Sequence, residues 1–162
     1  MTMKIRNAVL KDLETITNIE LECFPIAEAA KKDAIEDRIT TFSDGFLVGE
    51  VDDKIIGFIN GAAFDGMTIK DEYFSDMKYH SDKGKTLAVY GLDVQPDYQH
   101  KGYARKLMNA FIEYGKSSQR SFIILTCKEH LLQYYESFGF ENNGLSESSH
   151  GGAKWYDMTL TL

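Results

Sequence analysis

The sequence predicts a single mixed α/β domain, and two observations carry that prediction. In the second half, two almost wholly apolar runs, Thr86 to Val94 and Ser121 to Cys127, alternate with stretches of helical periodicity, the order expected of a parallel crossover. In the first half, two apolar runs flank Asp52-Asp53, the layout of an antiparallel hairpin. A crossover and a hairpin within 162 residues, one ordinary domain's worth, call for one mixed sheet covered by helices. No internal repeat or low-complexity tract interrupts the pattern.

Each element has its own justification. Lys4 to Ala8 reads as a short strand. Leu10 to Phe24 carries Leu13, Ile16, Ile19 or Leu21, and Cys23 at helical spacing, with Asp12 and Glu14 in the first turn, where the helix dipole favours acids. Pro25 stops that helix, and a second is expected over Glu28 to Ile39, closed by a turn from Thr41 to Gly45. The hairpin strands are Gly45 to Val51 and Lys54 to Gly61. Asp65 to Lys85 loses apolar periodicity and is expected as a long loop with a helical turn near Glu72 to Met77; loops of that length usually carry function or move. Thr86 to Val94 reads as a strand buried on both faces, with Gly91 marking a bulge or a close approach. Gly102 to Gly115 sets Ala104, Leu107, Met108, Phe111 and Ile112 on one helical face. After Ser121 to Cys127, Leu131, Tyr134, Tyr135 and Phe138 form a stripe that ends at Gly139. The crossover should be right-handed. Tyr156, Met158, Leu160 and Leu162 alternate with polar residues in a half-exposed last strand.

Composition narrows the function. Eighteen Lys and Arg against 25 Asp and Glu leave a net charge of −7, which argues against a nucleic-acid partner, since such binders need a basic face. The same acidity draws small amines and basic peptides. No apolar run approaches the roughly 20 residues of a membrane span, and the start lacks the apolar stretch of a signal peptide, so no membrane partner and a cytoplasmic location are expected. Cys23 and Cys127 lie in apolar contexts without metal spacing and read as core residues; no metal site is expected.

The most informative stretch runs from Leu92-Asp93-Val94 through Pro96 and Gln99-His100-Lys101-Gly102-Tyr103-Ala104 into a helix. Strand end to helix start is where α/β folds bind ligands. The first N–H groups of a helix have no internal partner and lie at the positive end of its dipole, so backbone amides there suit a phosphate. Gly102 lets the backbone approach, Ala104 keeps the next turn thin, and Lys101 and Arg105 add charge. Tyr98 to Arg120 holds five basic residues and one Glu, a basic island in an acidic chain. The three glycines of the dinucleotide fingerprint and the Gly-Lys-Ser/Thr of the P-loop are both missing.

Gln99-x-x-Gly102-x-Ala104 after Leu92-Asp93-Val94-x-Pro96 resembles the acyl-CoA-binding signature of the GNAT superfamily of N-acetyltransferases. Tyr134-Tyr135-Glu136-Ser137-Phe138-Gly139-Phe140 resembles that family's tyrosine-bearing helix and Gly-Phe turn. Glu22-Cys23-Phe24-Pro25-x-Ala27-Glu28-Ala29 is similar to the first-helix junction of bacterial proteins resembling arylalkylamine N-acetyltransferases. The resemblance implies a GNAT-like fold over residues 1–162, a mixed sheet of about six or seven strands with about four helices. It implies acetyl transfer from acetyl-CoA to a primary amine, small-molecule or peptide, by direct transfer in a ternary complex, and a possible homodimer. The backbone of Leu92 and Val94, with Asp93 between them, would take the pantetheine arm; amides of Gln99, His100, Lys101, Gly102, Tyr103 and Ala104 would hold the pyrophosphate. Tyr135 would protonate the leaving thiolate, and Phe24, Pro25, Glu28 and Tyr90 would wall the amine site.

Departures from the family pattern leave the base open. Ala88 stands where some members place a catalytic Glu or His, Tyr90 is a poor base, and Lys128 replaces an Asn that often contacts the cofactor arm. Water or a carboxylate such as Glu28 or Asp93 could take the proton, and His80 and His130 are the histidines worth checking. Two rivals follow: a Cys127–His130 nucleophilic acyltransferase, and a non-catalytic acyl-CoA-binding or protein-interaction module on the same fold.

Overall fold

The computed structural model describes residues 2–162. The chain begins with β1 (Lys4–Asn7), followed after a 3-10 turn by helices α1 (Leu13–Cys23) and α2 (Lys32–Thr41). The hairpin is β2 (Phe46–Val51) and β3 (Lys54–Phe64); Asp52 and Asp53 take φ of 52° and 62°, the left-handed pair that a two-residue hairpin turn needs. Then come β4 (Thr86–Val94), α3 (Tyr103–Ser117), β5 (Phe122–Cys127), α4 (Leu132–Glu136), β6 (Glu141–Leu145) and β7 (Tyr156–Thr161). Among the described residues seven strands form one sheet in the order β1-β2-β3-β4-β5-β7-β6, antiparallel throughout except for β4 beside β5. A mixed α/β domain with a parallel crossover is what the sequence predicts.

Alternation along the strands splits the core. Ile16, Ile19, Ile35 and Ile39 of α1 and α2 pack with Phe46, Val48 and Phe58 on one face. Leu107, Met108 and Phe111 of α3 pack with Ile56, Ile59, Leu87 and Ile123 on the other. Each such fully buried side chain contributes about 1.5–3 kcal/mol, which fixes register as well as stability.

The second helix starts at Lys32 rather than Glu28, because Glu28 and Ala29 donate their N–H groups to the Pro25 carbonyl in a separate turn. Residues 65–85 form the expected long loop, with 3-10 turns at Asp71–Ser75 and Met77–Tyr79, and it is pinned: Ile69 and Met77 are buried, and His80 Nδ1 accepts the Ala63 N–H at 3.0 Å. Strand β6 was not expected; its sequence Glu-Asn-Asn-Gly-Leu has no apolar alternation, and it is held by pairing to β7.

One irregularity shapes the centre. Asn60 pairs with Gly91 and Gly61 with Val89, so Tyr90 is an extra residue in β4, a bulge. A bulge bends its strand and raises its twist. Accordingly β4 pairs with β5 only over Thr86–Ala88, and the two strands diverge from there.

Candidate active site

The divergence exposes one edge of β4. The Gln95 N–H donates to the Ile56 carbonyl at 2.7 Å, toward β3, so by the two-residue alternation the N–H and C=O groups of Leu92 and Val94 face the gap toward β5. The Val94 carbonyl already accepts Gln99 Nε2 at 2.9 Å and Cys23 Sγ at 3.2 Å, which leaves its N–H and the Leu92 groups as the free edge. The Gln99 contact also folds the following loop back onto the strand end.

That loop delivers the start of α3 beside the gap. His100 and Gly102 have φ of 62° and 87°, and a Cβ at Gly102 would meet nothing within 4 Å, so the position is open and left-handed. Among the described residues no side chain caps α3, and the first-turn amides of this 15-residue helix have no partner there. Lys101 is exposed beside them. Arg105 instead turns to α4, donating to Ser137 Oγ at 2.8 Å and lying 4.3 Å over the Phe138 ring. A backbone edge leading to an open helix start fits an acyl-CoA: pantetheine amides on the one, pyrophosphate on the other.

A cavity of about 580 Å³ opens where the strands part. Its walls come from the α1–α2 junction (Phe24, Glu28), the bulge (Tyr90, Gly91), the end of β5 (Cys127), α4 (Tyr135) and the segment before β7 (His150, Trp155). Lys128 Nζ lies 2.9 Å from Glu28 and 5.6 Å over the Trp155 ring. His150 Nε2 donates to the Glu28 carbonyl at 2.9 Å and its ring stacks on Phe74. The mouth is thus tied together from three distant parts of the chain.

Beneath the bulge lies a buried polar cluster. Asp93, Asn60 and Arg38 are 1%, 1% and 3% exposed, and Glu20 is 6% exposed with its carboxylate at the cavity. Arg38 donates to Asn60 Oδ1 at 2.9 Å and to the Phe74 carbonyl at 2.7 Å, and sits 5.2 Å over the Tyr90 ring. Glu20 Oε2 accepts the Ala30 N–H at 2.8 Å. Burial, then the facing Glu20 carboxyl, push the Asp93 pKa well above the usual carboxylate range. Burial likewise pulls the Arg38 guanidinium down, opposed by the charge of Glu20.

The sequence-derived residues fall into distinct places. Phe24, Glu28, Tyr90, Leu92 and Tyr135 line the cavity. Pro25 does not; its carbonyl organises the turn that presents Glu28. Asp93 is a correction: its backbone faces β3 and its side chain is buried in the cluster, so it contacts no ligand in the gap. Tyr103 is buried in the core, leaving only its backbone amide at the helix start. His80 is held structurally, Nε2 donating to Asp82 at 2.6 Å and the ring 4.3 Å from Phe42, while His130 is exposed. Burial pushes the Cys127 thiol up to about 11, the opposite of an activated nucleophile. Glu20, Arg38, Asn60, His150 and Trp155 escaped sequence reasoning. For Glu20 the available signal was an acid on the apolar stripe with Ile16 and Ile19; for Arg38, its place next to Ile39.

The model of the acetyltransferase (GNAT) family matches residues 13–140. The chain belongs to that family. An uncharacterized N-acetyltransferase, YkwB of Bacillus subtilis (strain 168), is 26% identical over 122 residues, 68% of this chain and 54% of that protein. This GNAT chain therefore spans about half the length of the curated relative it matches. Among solved structures, the loading GNATL domain of CurA from Lyngbya majuscula aligns with a TM-score of 0.87 at 15% identity, over 99% of this chain and 98% of that one. Arabidopsis thaliana Naa50, in complex with the bisubstrate analogue CoA-Ac-MVNAL, aligns with a TM-score of 0.76 at 15% identity over the whole of both chains. At such identities the likeness is one of fold, the mixed sheet with four helices described above. Among the described residues no helix is long and apolar enough to cross a membrane.

Proposed function

We propose that this GNAT protein transfers an acetyl group from acetyl-CoA directly to a primary amine. The observation that carries the reading is the free β4 edge running into the uncapped start of α3, with a partly acidic, aromatic-walled cavity opening beside it. The N–H groups of Leu92 and Val94 would hold the pantetheine arm, and the amides from Gln99 to Ala104 the pyrophosphate, with Lys101 adding charge. When bound, acetyl-CoA supplies an activated acetyl thioester.

The protein's own groups do the rest. An amide on the Leu92 edge polarises the acetyl carbonyl, because a fixed donor in a dry site costs no reorganisation. Tyr135, on the wall near Cys127, donates its phenolic proton to the departing sulfur; burial raises its pKa above 10, so it stays a donor. The amine enters past Phe24, Glu28 and Trp155, and phenethylamine, tryptamine, spermidine and short peptides form the panel that identifies it. The first-helix resemblance favours the aromatic amines. Release of CoA thiol with one of these amines is the expected result; calorimetry showing no acetyl-CoA binding would falsify the reading.

A further inference from the structure

We propose that Glu20 is the general base of this site and that Asp93 positions it, the two carboxyls sharing one proton beneath the β4 bulge. The inference rests on the acetyl-transfer reading and supplies the base that the sequence left open.

The geometry begins at Gly91. A Cβ there would lie 3.2 Å from Asn60 Nδ2, 3.3 Å from Asp93 Oδ1 and 3.8 Å from Glu20 Oε1. Three polar side chains from β3, β4 and α1 therefore converge on one backbone point that also lines the cavity. Among the described residues neither Asp93 oxygen has an N–H or O–H donor, and Asn60 Nδ2 and Arg38 Nε lack acceptors. The carboxyl that faces Asp93 here is that of Glu20, whose Oε1 converges with Asp93 Oδ1 on the Gly91 Cβ position. Two carboxylates cannot hydrogen-bond unless one carries a proton. Asp93 is the more enclosed of the two and is the one to keep it, while Glu20 lies at the cavity wall, anchored by the Ala30 N–H.

The surroundings support that division. Arg38 from α2 brings a positive charge against both carboxyls, Cys23 lies on the α1 side, and Tyr90 covers Arg38 from β4. Asp37, next to Arg38, is spent on the Met77 N–H at 3.1 Å. Of the other carboxylates that line the cavity, Glu28 is engaged by Lys128, Asp71 accepts the Ser148 hydroxyl and the Ser149 N–H, and Asp33 accepts the Ala34 N–H at the start of α2; Glu20 is the one that converges on the bulge.

The proton balance closes. An ammonium loses one proton to the Glu20 carboxylate and becomes a nucleophile. Its nitrogen forms the C–N bond to the acetyl carbon as the C–S bond breaks. A second amine proton replaces the one that Tyr135 gives to sulfur, the third remains on the amide, and Glu20 returns its proton to water.

The test uses the full chain, acetyl-CoA and whichever amine of the panel turns over fastest. Glu20→Gln should lower kcat about 100-fold while leaving KM for acetyl-CoA within about threefold, the residual rate rising with pH as free amine accumulates. Glu20→Asp should recover part of the loss. Asp93→Asn should lower kcat about tenfold and displace the acid limb of the pH profile, which a merely structural role would leave in place. Infrared spectra of the free protein near neutral pH should show a protonated carboxyl band that Asp93→Asn removes. Turnover within threefold of wild type in a folded Glu20→Gln protein overturns the base role, as does absence of that band if the variant does not fold. Wild-type protein that turns over no amine overturns the transfer reading and the base role together, whereas turnover that survives Glu20→Gln overturns the base role alone.

Discussion

Lys128 and Glu28 meet with Nζ 2.9 Å from both carboxylate oxygens, joining the end of β5 to the turn that follows α1. The Glu28 side chain is only 8% exposed and the Lys128 side chain 32%, so the pair is partly shielded at the cavity mouth. Replacing Lys128 with Met removes the donor and leaves an enclosed carboxylate, a cost of about 1–2 kcal/mol. Thermal unfolding should shift down by about 2–8 °C. KM for the amine should rise severalfold with kcat nearly unchanged, because the pair shapes the entrance and not the reacting centre; steady-state kinetics in the amine measures that split.

Gly102 permits a separate test of the cofactor end. Its φ of 87° with open space ahead means that Gly102→Ala meets a conformational penalty and no steric one, about 1 kcal/mol. The larger consequence is for binding, since at the proposed cofactor site a methyl group would stand where a pyrophosphate would approach the amides. Calorimetry should show acetyl-CoA affinity reduced at least tenfold while the unfolding temperature moves by only a few degrees, roughly what a 1 kcal/mol loss produces.

The contrast between these two positions shows what the sequence discloses. The turn at Gly102 was legible because local chemistry dictates it: a glycine between a buried strand and an amphipathic helix marks the left-handed turn that starts the helix. The sheet was legible for the same reason, each central strand announcing itself by apolar runs. Glu20, Arg38 and Asn60 are different. They lie 18, 22 and 40 residues apart in pairs, on three elements, and each alone is an ordinary polar residue. Only the bulge that sets Asn60 against Gly91 brings them together, and a bulge is a property of pairing, not of one strand. Strand β6 stayed hidden because backbone bonds to β7, not an apolar face, hold it.

Cysteine chemistry supplies a third expectation. With the Cys127 thiol pushed up to about 11, about one thiol in ten thousand is ionised at pH 7. Cys23 is pushed higher still, to about 12, first by burial and then by Asp93 and Glu20. Iodoacetamide at pH 7 should therefore label both slowly, with labelling read by mass spectrometry accelerating about tenfold per pH unit through pH 9. Acetyl transfer measured after brief treatment at pH 7 should be unaffected, and prompt loss of activity with modification of Cys127 would revive a thiol nucleophile.

The pH dependence of stability should be set by two aspartates that act in opposite directions. Asp12 takes two hydrogen bonds from Arg6, at 2.7 and 3.0 Å, and one from the Val9 N–H at 2.9 Å; the Arg6 bonds first hold its pKa below the ordinary value. A depressed carboxyl contributes stability that is present above the unfolded-state value of about 3.9 and lost as pH falls through the folded one. Asp93 has a raised pKa, so its contribution is fully present below about 3.9 and lost as pH rises through its folded value. Asp12→Asn should therefore cost about 1.5–3 kcal/mol at pH 7 and flatten the acid limb of the unfolding curve. Asp93→Asn, which keeps the volume and carries no charge, should gain stability relative to wild type as pH rises toward 9. Denaturant midpoints for the three proteins between pH 3 and pH 9 give both slopes, and an Asp93→Asn curve parallel to wild type above neutrality would mean that Asp93 is ionised in the folded and the unfolded protein alike and holds no proton beneath the bulge.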